Sequence, residues 1–488
     1  MKLDYAILDP IQALLESADP EVARHVRAET TDQSESLKLI ASENYCSAAV
    51  LAAMATPLND KYAEGVPGHY KSGMPKRFYS GCENVDAIEE LAAGRARELF
   101  GADYAYVQPH SGSDANMLAF WAILRVRVEN AFLRSVGILP EGRTVPSAGD
   151  IEGMSNEQWN ELRASLGHQK LLAMSMRSGG HLTHGTRQNV SSRMFEVHTY
   201  DVTDEGLIDY DALREQALAV RPLILLAGFS AYPRRIDFRR MRAIADECGA
   251  VLMADMAHFA GLVAGKAFTG DEDPVAFADV VTFTTHKTMR GPRGGTVLAR
   301  NEFKTTLDRG CPMFQGGPMP HVMAAKAICF GEALTPAFRD YAASVVGNAR
   351  HLAETLMSRG LGVLSGGTDN HLVLVDFRGQ EVTGFQIEEG LRSCGLTLNR
   401  NMIPNDPRPP LVTSGLRLGT PAVTTRGMGI GEMEEIANII ADVIAATRPG
   451  EDGRSFELDA SVRASATERV SDLITRFPLY PTPATIGA

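Results

Sequence analysis

The chain has 488 residues, 44% of them apolar, and a net charge of −12. Its apolar content suits a core large enough to divide between two domains, because single cores stop growing near ~250–300 residues. The acidic balance excludes the basic stripe of a nucleic-acid binder, and no apolar run reaches the ~18 residues of a membrane span. Six scattered cysteines with no C-x-x-C pair fit a reducing cytoplasm, not a disulfide frame or a zinc site. The first residues, "MKLDYAILDP", carry Asp4 and Asp9 and lack the apolar stretch of a secretory signal.

Residues 1–60 read as an N-terminal helical arm. Residues 61–334 read as a large α/β domain. Within it, Ile88, Leu91, Ala92, Ala96 and Leu99 have helical spacing, and Gly101 is the stop. "YAYVQ" (104–108) predicts a short strand, and "PHSGSDAN" opens the next helix. Residues 125–170 break the alternation: a turn-rich part, then a polar helical part, expected to form a surface insertion. Strands are predicted at 222–232, 251–255 and 280–287, with a helix over 237–249 that ends at Gly249. Apolar strands alternating with helices predict a mostly parallel sheet covered on both faces. The carboxyl ends of such strands face the crevice where ligands bind. After about residue 335 the elements shorten: a helix over 336–360, a strand over 371–377 and a helical stretch over 427–448. These predict a smaller α/β domain spanning 335–488.

The most informative stretch is "VTFTTHKTMRGPRGG" (281–295). An apolar, β-branched strand ends on Lys287 and runs into a loop with three glycines, one proline and two arginines. A lysine there suits an ion pair or a snorkelling side chain. It equally suits an amine kept partly neutral by burial and nearby cations, able to form a Schiff base with an aldehyde. Pyridoxal phosphate is the commonest such aldehyde. It demands an acid for its ring nitrogen, a phosphate cradle and a cation for the substrate carboxylate. Asp255 closes a predicted strand in "VLMADMAH", although aspartates also cap helices. His258 lies three residues on, within reach of the same cleft. Ser111, Gly112 and Ser113 follow a strand and open a helix, whose free N–H groups and dipole attract phosphate. Arg417, in "TSGLRLGTPAVTTRG", offers the two-pronged fork that a carboxylate accepts.

These residues fall inside longer blocks: "LIASENY" (39–45), "KYAEGVPG" (61–68), "SGCENVD" (80–86), "ELFGADYAYVQPHSGSDAN" (98–116), "GGHLTHG" (179–185), "DMAHFAGLVA" (255–264), "QGGP" (315–318) and "SGGTDNHLVLVD" (365–376). With these blocks in order along nearly the whole chain, the sequence resembles the serine hydroxymethyltransferases, among the fold-type-I pyridoxal phosphate enzymes. The resemblance implies Lys287 as the Schiff-base lysine and Asp255 as the partner of the pyridinium nitrogen. It implies His181 stacked on the ring, Ser111, Gly112 and Ser113 at the phosphate, and Ser230 and His258 near the ring's 3′-oxygen. Thr284 and His286 would shape the lysine's surroundings, and Arg417 with Ser42 would bind the amino-acid carboxylate. Tyr62, Glu64 and Tyr79 would come from a partner subunit, Glu64 as the acid/base carboxylate, and Gly316 and Gly317 would reach the phosphate across the same boundary. Gly180, Leu182 and Asn401 would line the folate site.

The implied activity moves the one-carbon unit of serine to tetrahydrofolate and leaves glycine. It would take place in the cytoplasm, in a homodimer with shared sites or a tetramer built on it. An aldolase of threonine-type β-hydroxy amino acids is the nearest alternative. A non-catalytic protein on the same fold would predict loss of Lys287, Asp255 or Arg417, and all three are present. The chain departs from the family pattern at Phe283, where a threonine is usual, and at Phe78, where a tyrosine is usual. It also departs in the lengthened loop 69–76 and in the stretch 125–170. Arg293 is expected to act on the site by charge, and Arg290 to be a solvated surface residue.

Overall fold

A computed structural model describes residues 8–68 and 77–479; the lengthened loop 69–76 lies outside the described residues. Seven strands form the central sheet: Tyr104–Tyr106 (β1), Lys170–Met174 (β2), Glu196–Tyr200 (β3), Ile224–Gly228 (β4), Val251–Asp255 (β5), Val280–Thr284 (β6) and Gly295–Ala299 (β7). Their order is β1-β7-β6-β5-β4-β2-β3. β3, β2, β4, β5 and β6 pair in parallel, whereas β7 runs antiparallel to both β6 and β1.

Alternation along each strand feeds two cores, because successive side chains point to opposite faces. In β5, Leu252 and Ala254 join one apolar cluster, with the helices Glu83–Phe100 (α1) and Pro320–Ala333 (α3). Val251 and Met253 join the other, beneath the helix Gly112–Leu124 (α2). β4 and β5, in the middle of the sheet, are therefore apolar up to their last residue, and the polar Asp255 at the end of β5 stands out. α1 begins before the predicted run and ends at Gly101, whose φ of 69° is the left-handed C-cap that glycine takes without strain.

A second sheet is antiparallel throughout: Gly362–Val363 (β8), Leu372–Asp376 (β9), Asn399–Asn401 (β10) and Gly415–Gly419 (β11), in the order β10-β11-β9-β8. It packs with the helix Ile430–Ala446 and the C-terminal helix Ala460–Arg476 in a third apolar cluster. The long helix Pro336–Ser358 is shared between units. Phe338, Tyr341 and Val345 belong to the large core, while Leu352 and Leu356 belong to the small one.

Two stretches differ from expectation. The helical arm is interrupted: between the helices Pro20–Glu35 and Ala48–Met54, Leu37–Lys38 pairs with Leu396–Thr397, and Leu37 and Leu39 enter the small core. The stretch 125–170 is only partly a surface insertion. Residues 125–129 form a π-helical turn that carries α2 on into Asn130–Ser135, and Leu133, Leu139 and Val145 are buried. The turn-rich run 137–150 that follows hid this continuation of α2. No helix among the described residues is long and apolar enough to cross a membrane.

Phe283 is fully buried, its ring 5.0 Å from Phe100 and 6.2 Å from Phe330, and so ties β6 to α1 and α3. Phe283→Ala should lower stability by about 3–5 kcal/mol, read as a fall in the midpoint of denaturant unfolding.

Candidate active site

Three parallel strands end at one crevice. Asp255 is the last residue of β5, Thr284 is the last of β6 with Lys287 three residues beyond, and Ser230 follows β4 by two. α2 begins at the same place, with Ser111 as its N-cap: the Ser111 hydroxyl accepts from the Asp114 N–H at 3.1 Å. Gly295, the first residue of β7, supports this turn. A Cβ added there would lie 2.1 Å from the Ser111 carbonyl oxygen, so no other residue fits. From the smaller sheet, Arg417 reaches across; it donates through Nη1 to the Ser230 carbonyl (2.8 Å) and through Nε to Asn399 (3.2 Å). These groups enclose a cavity of about 390 Å³. Of the residues predicted from sequence, Ser42, Ser111, Gly112, Ser113, His181, Ser230, Asp255, His258, Thr284, His286, Lys287 and Arg417 all line it.

The electrostatics divide the site between one negative charge and one reluctant positive charge. Asp255 is buried, yet its carboxyl is held well below the usual range. Burial opposes this, but Oδ2 accepts from His184 Nε2 (3.0 Å) and Asn116 Nδ2 (2.8 Å), and Oδ1 accepts from the Ala257 N–H (3.0 Å). Burial pulls the Lys287 amine down to about 8; Asp255 works against that shift, and Arg417 and Arg293 add to it. The amine is therefore still mostly protonated at neutral pH, but its neutral share is far larger than that of an ordinary lysine.

Burial also works against charge on His181 and His286. Desolvation lowers His181 to about 4 and His286 to about 3. The backbone N–H of His181 donates to His184 Nδ1 (3.3 Å), so His184 carries its proton on Nε2, facing Asp255. His181 Nδ1 lies 2.7 Å from Thr183 Oγ1 and also accepts from the Thr183 N–H (3.2 Å), leaving its proton on Nε2. Thr183 Oγ1 in turn accepts from Asn116 (2.8 Å), and Thr282 orients that amide by donating to its oxygen (2.5 Å). His258 stacks on His371 with their ring nitrogens 3.2 Å apart, and burial lowers both.

Other predicted residues lie elsewhere. Tyr62, Glu64, Tyr79 and Gly317 form a separate group, in which the two tyrosines are exposed and Glu64 and Gly317 half-buried. The Tyr62 and Tyr79 rings are 5.0 Å apart, the Tyr62 hydroxyl donates to Glu64 at 3.3 Å, and Gly317 lies against the Tyr62 ring. Neither they nor Gly316 line the cavity of their own chain. Gly180, Leu182 and Asn401 also stand outside it; Leu182 is 49% exposed beside His181, and Asn401 is on β10 two residues from Asn399. Arg290 is not a free surface residue: its guanidinium lies 4.8 Å from the ring centre of Tyr341. The Tyr341 hydroxyl accepts from Asn44, which also donates to the Lys287 carbonyl (2.9 Å). A larger cleft of about 960 Å³ opens beside Arg290 and Phe477, but no lysine lines it.

Sequence reasoning missed Asn116, His184, Asn399 and His371. Asn116 was within reach of it: four residues after Gly112 on one helix, it must share that face.

The donor set fits pyridoxal phosphate. It offers an amine for the aldehyde, a held carboxylate for the ring nitrogen, and a helix start with two hydroxyls for the phosphate. His286 Nδ1 is buried without a protein partner at the cavity wall. A mostly parallel α/β sheet with this site at its carboxyl edge defines a pyridoxal phosphate enzyme of fold type I.

The sequence profile of the serine hydroxymethyltransferases matches residues 15–147 and 162–440, leaving out only a short stretch within 125–170 and the two ends. The serine hydroxymethyltransferase of Salinispora tropica is 53% identical over 95% of both chains. That of Treponema pallidum is 54% identical over 95% of this chain and 79% of its own. That of Mycolicibacterium smegmatis is 52% identical over 96% and 92%. The chain belongs to the serine hydroxymethyltransferase family, whose members depend on pyridoxal phosphate.

The charges on Lys287 give a signed prediction. Uptake of pyridoxal phosphate by the cofactor-free protein should rise about tenfold per pH unit up to about 8 and level off above it. Arg293→Gln should move that midpoint up and Asp255→Asn should move it down, both read from visible absorbance.

Proposed function

We propose that this chain catalyses the reversible transfer of the one-carbon unit of serine to tetrahydrofolate, giving glycine and 5,10-methylenetetrahydrofolate, in the cytoplasm. The observation that carries the assignment of roles is the convergence of Lys287, Asp255, the α2 start and Arg417 on one cavity. Family membership narrows the chemistry to this reaction. Residues 61–334 would be the cofactor-binding unit, with 335–488 the smaller unit and 1–60 the arm.

Bound in this cavity, pyridoxal phosphate supplies a reactive aldehyde and a ring that accepts electrons when a bond at the substrate α-carbon breaks. The Lys287 amine, easier to deprotonate than an ordinary lysine, would hold that aldehyde. Asp255 keeps a proton on the ring nitrogen, and its three hydrogen bonds keep it ionised for that purpose. Ser111, Gly112 and Ser113 hold the phosphate through hydroxyls and first-turn amides that have no intrahelical acceptor. His181 offers a neutral ring face, and Ser230 and His258 accompany the ring oxygen. Thr284 donates to the Ala257 carbonyl (3.2 Å) and so ties the lysine's strand to the Asp255 loop. Arg417 pairs with the substrate carboxylate, assisted by Ser42, because two of its bonds already fix the guanidinium in place.

Tyr62, Glu64, Tyr79, Gly316 and Gly317 complete the site of a partner subunit in a homodimer, with Glu64 moving the proton at the serine hydroxyl. Gly180, Leu182 and Asn401 lie toward the folate. The exposure of Tyr62 and Tyr79, at 55% and 47%, supports this reading, since two aromatic rings left in water suit a surface that another chain covers.

Lys287→Ala should lose at least about a thousandfold in tetrahydrofolate-dependent serine cleavage. Glu64→Gln should lose turnover while still taking up pyridoxal phosphate. Mixing the two inactive variants under exchanging conditions should restore activity, because one site of each hybrid dimer then has both residues intact. No restoration would place Glu64 in its own chain's site. A yellow protein that cleaves β-hydroxy amino acids but ignores tetrahydrofolate would favour the aldolase.

A further inference from the structure

Lys326 is the most deeply buried lysine among the described residues, with 1% of its surface exposed. It lies in the middle of α3 within "AAKAIC", where every neighbour is apolar. An ammonium in such surroundings is costly unless all its protons are satisfied. Here all three are: Nζ donates to the carbonyls of Val107 (2.6 Å), Pro109 (2.9 Å) and Gly295 (2.7 Å). Lysine has three donors, and none is left over.

The three carbonyls belong to one small structure. Val107 and Pro109 lie on the segment that leaves β1 and becomes the Ser111 turn. Gly295 is the residue on which that turn rests, and its N–H also donates to the Pro109 carbonyl (3.0 Å). The side chain between the two clamped carbonyls, Gln108, is fixed as well, donating to Glu89 and the Gly65 carbonyl at 2.8 Å each. Lys326 does not line the cavity. The residues facing the cofactor ring, His181, Ser230 and Asp255, stand on other segments that it does not touch. Burial draws its amine down to about 7, while Glu89 and Asp114, the latter in the first turn of α2, favour the charged form.

We infer that Lys326 is a positioning residue for the cofactor phosphate: its ammonium, clamped beneath the Ser111–Ser113 turn, fixes the anion cradle and adds a buried positive charge behind it. The inference rests on the reading of that turn as the phosphate site. It distinguishes Lys326 from a lysine that merely fills the core, because its effect falls on the phosphate end of the cofactor alone.

The test compares two probes on cofactor-free protein: pyridoxal phosphate and pyridoxal, which lacks the phosphate, titrated by calorimetry. The parent protein should prefer pyridoxal phosphate strongly. Lys326→Met should weaken pyridoxal phosphate by roughly tenfold to a hundredfold, the worth of lost charge-assisted bonds, and leave pyridoxal within about twofold. Lys326→Gln, which keeps two donors but no charge, should fall between. Should Lys326→Met not fold, Gly294→Ala reads the same ratio with the charge retained. Its new Cβ would lie 2.6 Å from Lys326 Cε and push the ammonium off its carbonyls, so the ratio should again fall. Equal weakening of both probes, or an unchanged ratio in the variants, would overturn the inference. A parent protein with no preference between the probes would overturn the phosphate assignment beneath it, and the inference with it.

Discussion

The structure turns on keeping an amine easy to deprotonate and a carboxylate fully charged in the same buried cavity. Burial alone would neutralise both, since it disfavours any charge. The chain separates the two outcomes by unequal support. Asp255 receives three hydrogen bonds, two of them from side chains that are themselves held, and stays ionised. For Lys287, burial and the two arginines outweigh the pull of Asp255, and its amine is drawn down. The geometry follows from a sheet rule: β5 and β6 are adjacent and parallel, so their carboxyl ends deliver both residues to one edge.

Around that pair, the polar residues form one continuous chain from Thr282 through Asn116 and Thr183 to His181. It holds His181 neutral, with its proton on Nε2. A cationic ring here would compete with Lys287 for Asp255. A neutral His181 leaves the Asp255 charge acting on Lys287, through hydrogen bonds that only one tautomer satisfies.

Much of this was legible in the sequence. Lys287, Asp255 and Arg417 stand out because a charged residue among apolar neighbours needs a reason, and strand ends supply one. The helix start at Ser111–Ser113 and the strand 251–255 were readable from local chemistry. Asn116 could be placed on the face of Gly112, but its bond to Asp255, 139 residues away, could not be read, nor could that of His184, 71 residues away. The group around Tyr62 and Glu64 carries no local signal at all: its residues form no motif with a mechanism of their own, and only the resemblance pointed to them. The sharing of the helix Pro336–Ser358 between two cores was also hidden, because a helical period says which face is buried but not against what.

The reversal at β7 has a consequence for how this protein can vary. β6 and β7 are joined directly at the crevice edge, and the hairpin between them is closed by the pairing of Thr284 with Gly295. Lys287 hangs from one end of that hairpin, and the Ser111 turn rests on the other. A surface loop absorbs added residues at small cost, but between Thr284 and Gly295 only Arg293 is exposed and most of the others are buried. One extra residue would displace either the lysine or the floor beneath the turn. What is constrained between Thr284 and Gly295 is therefore the length of the chain as much as its composition.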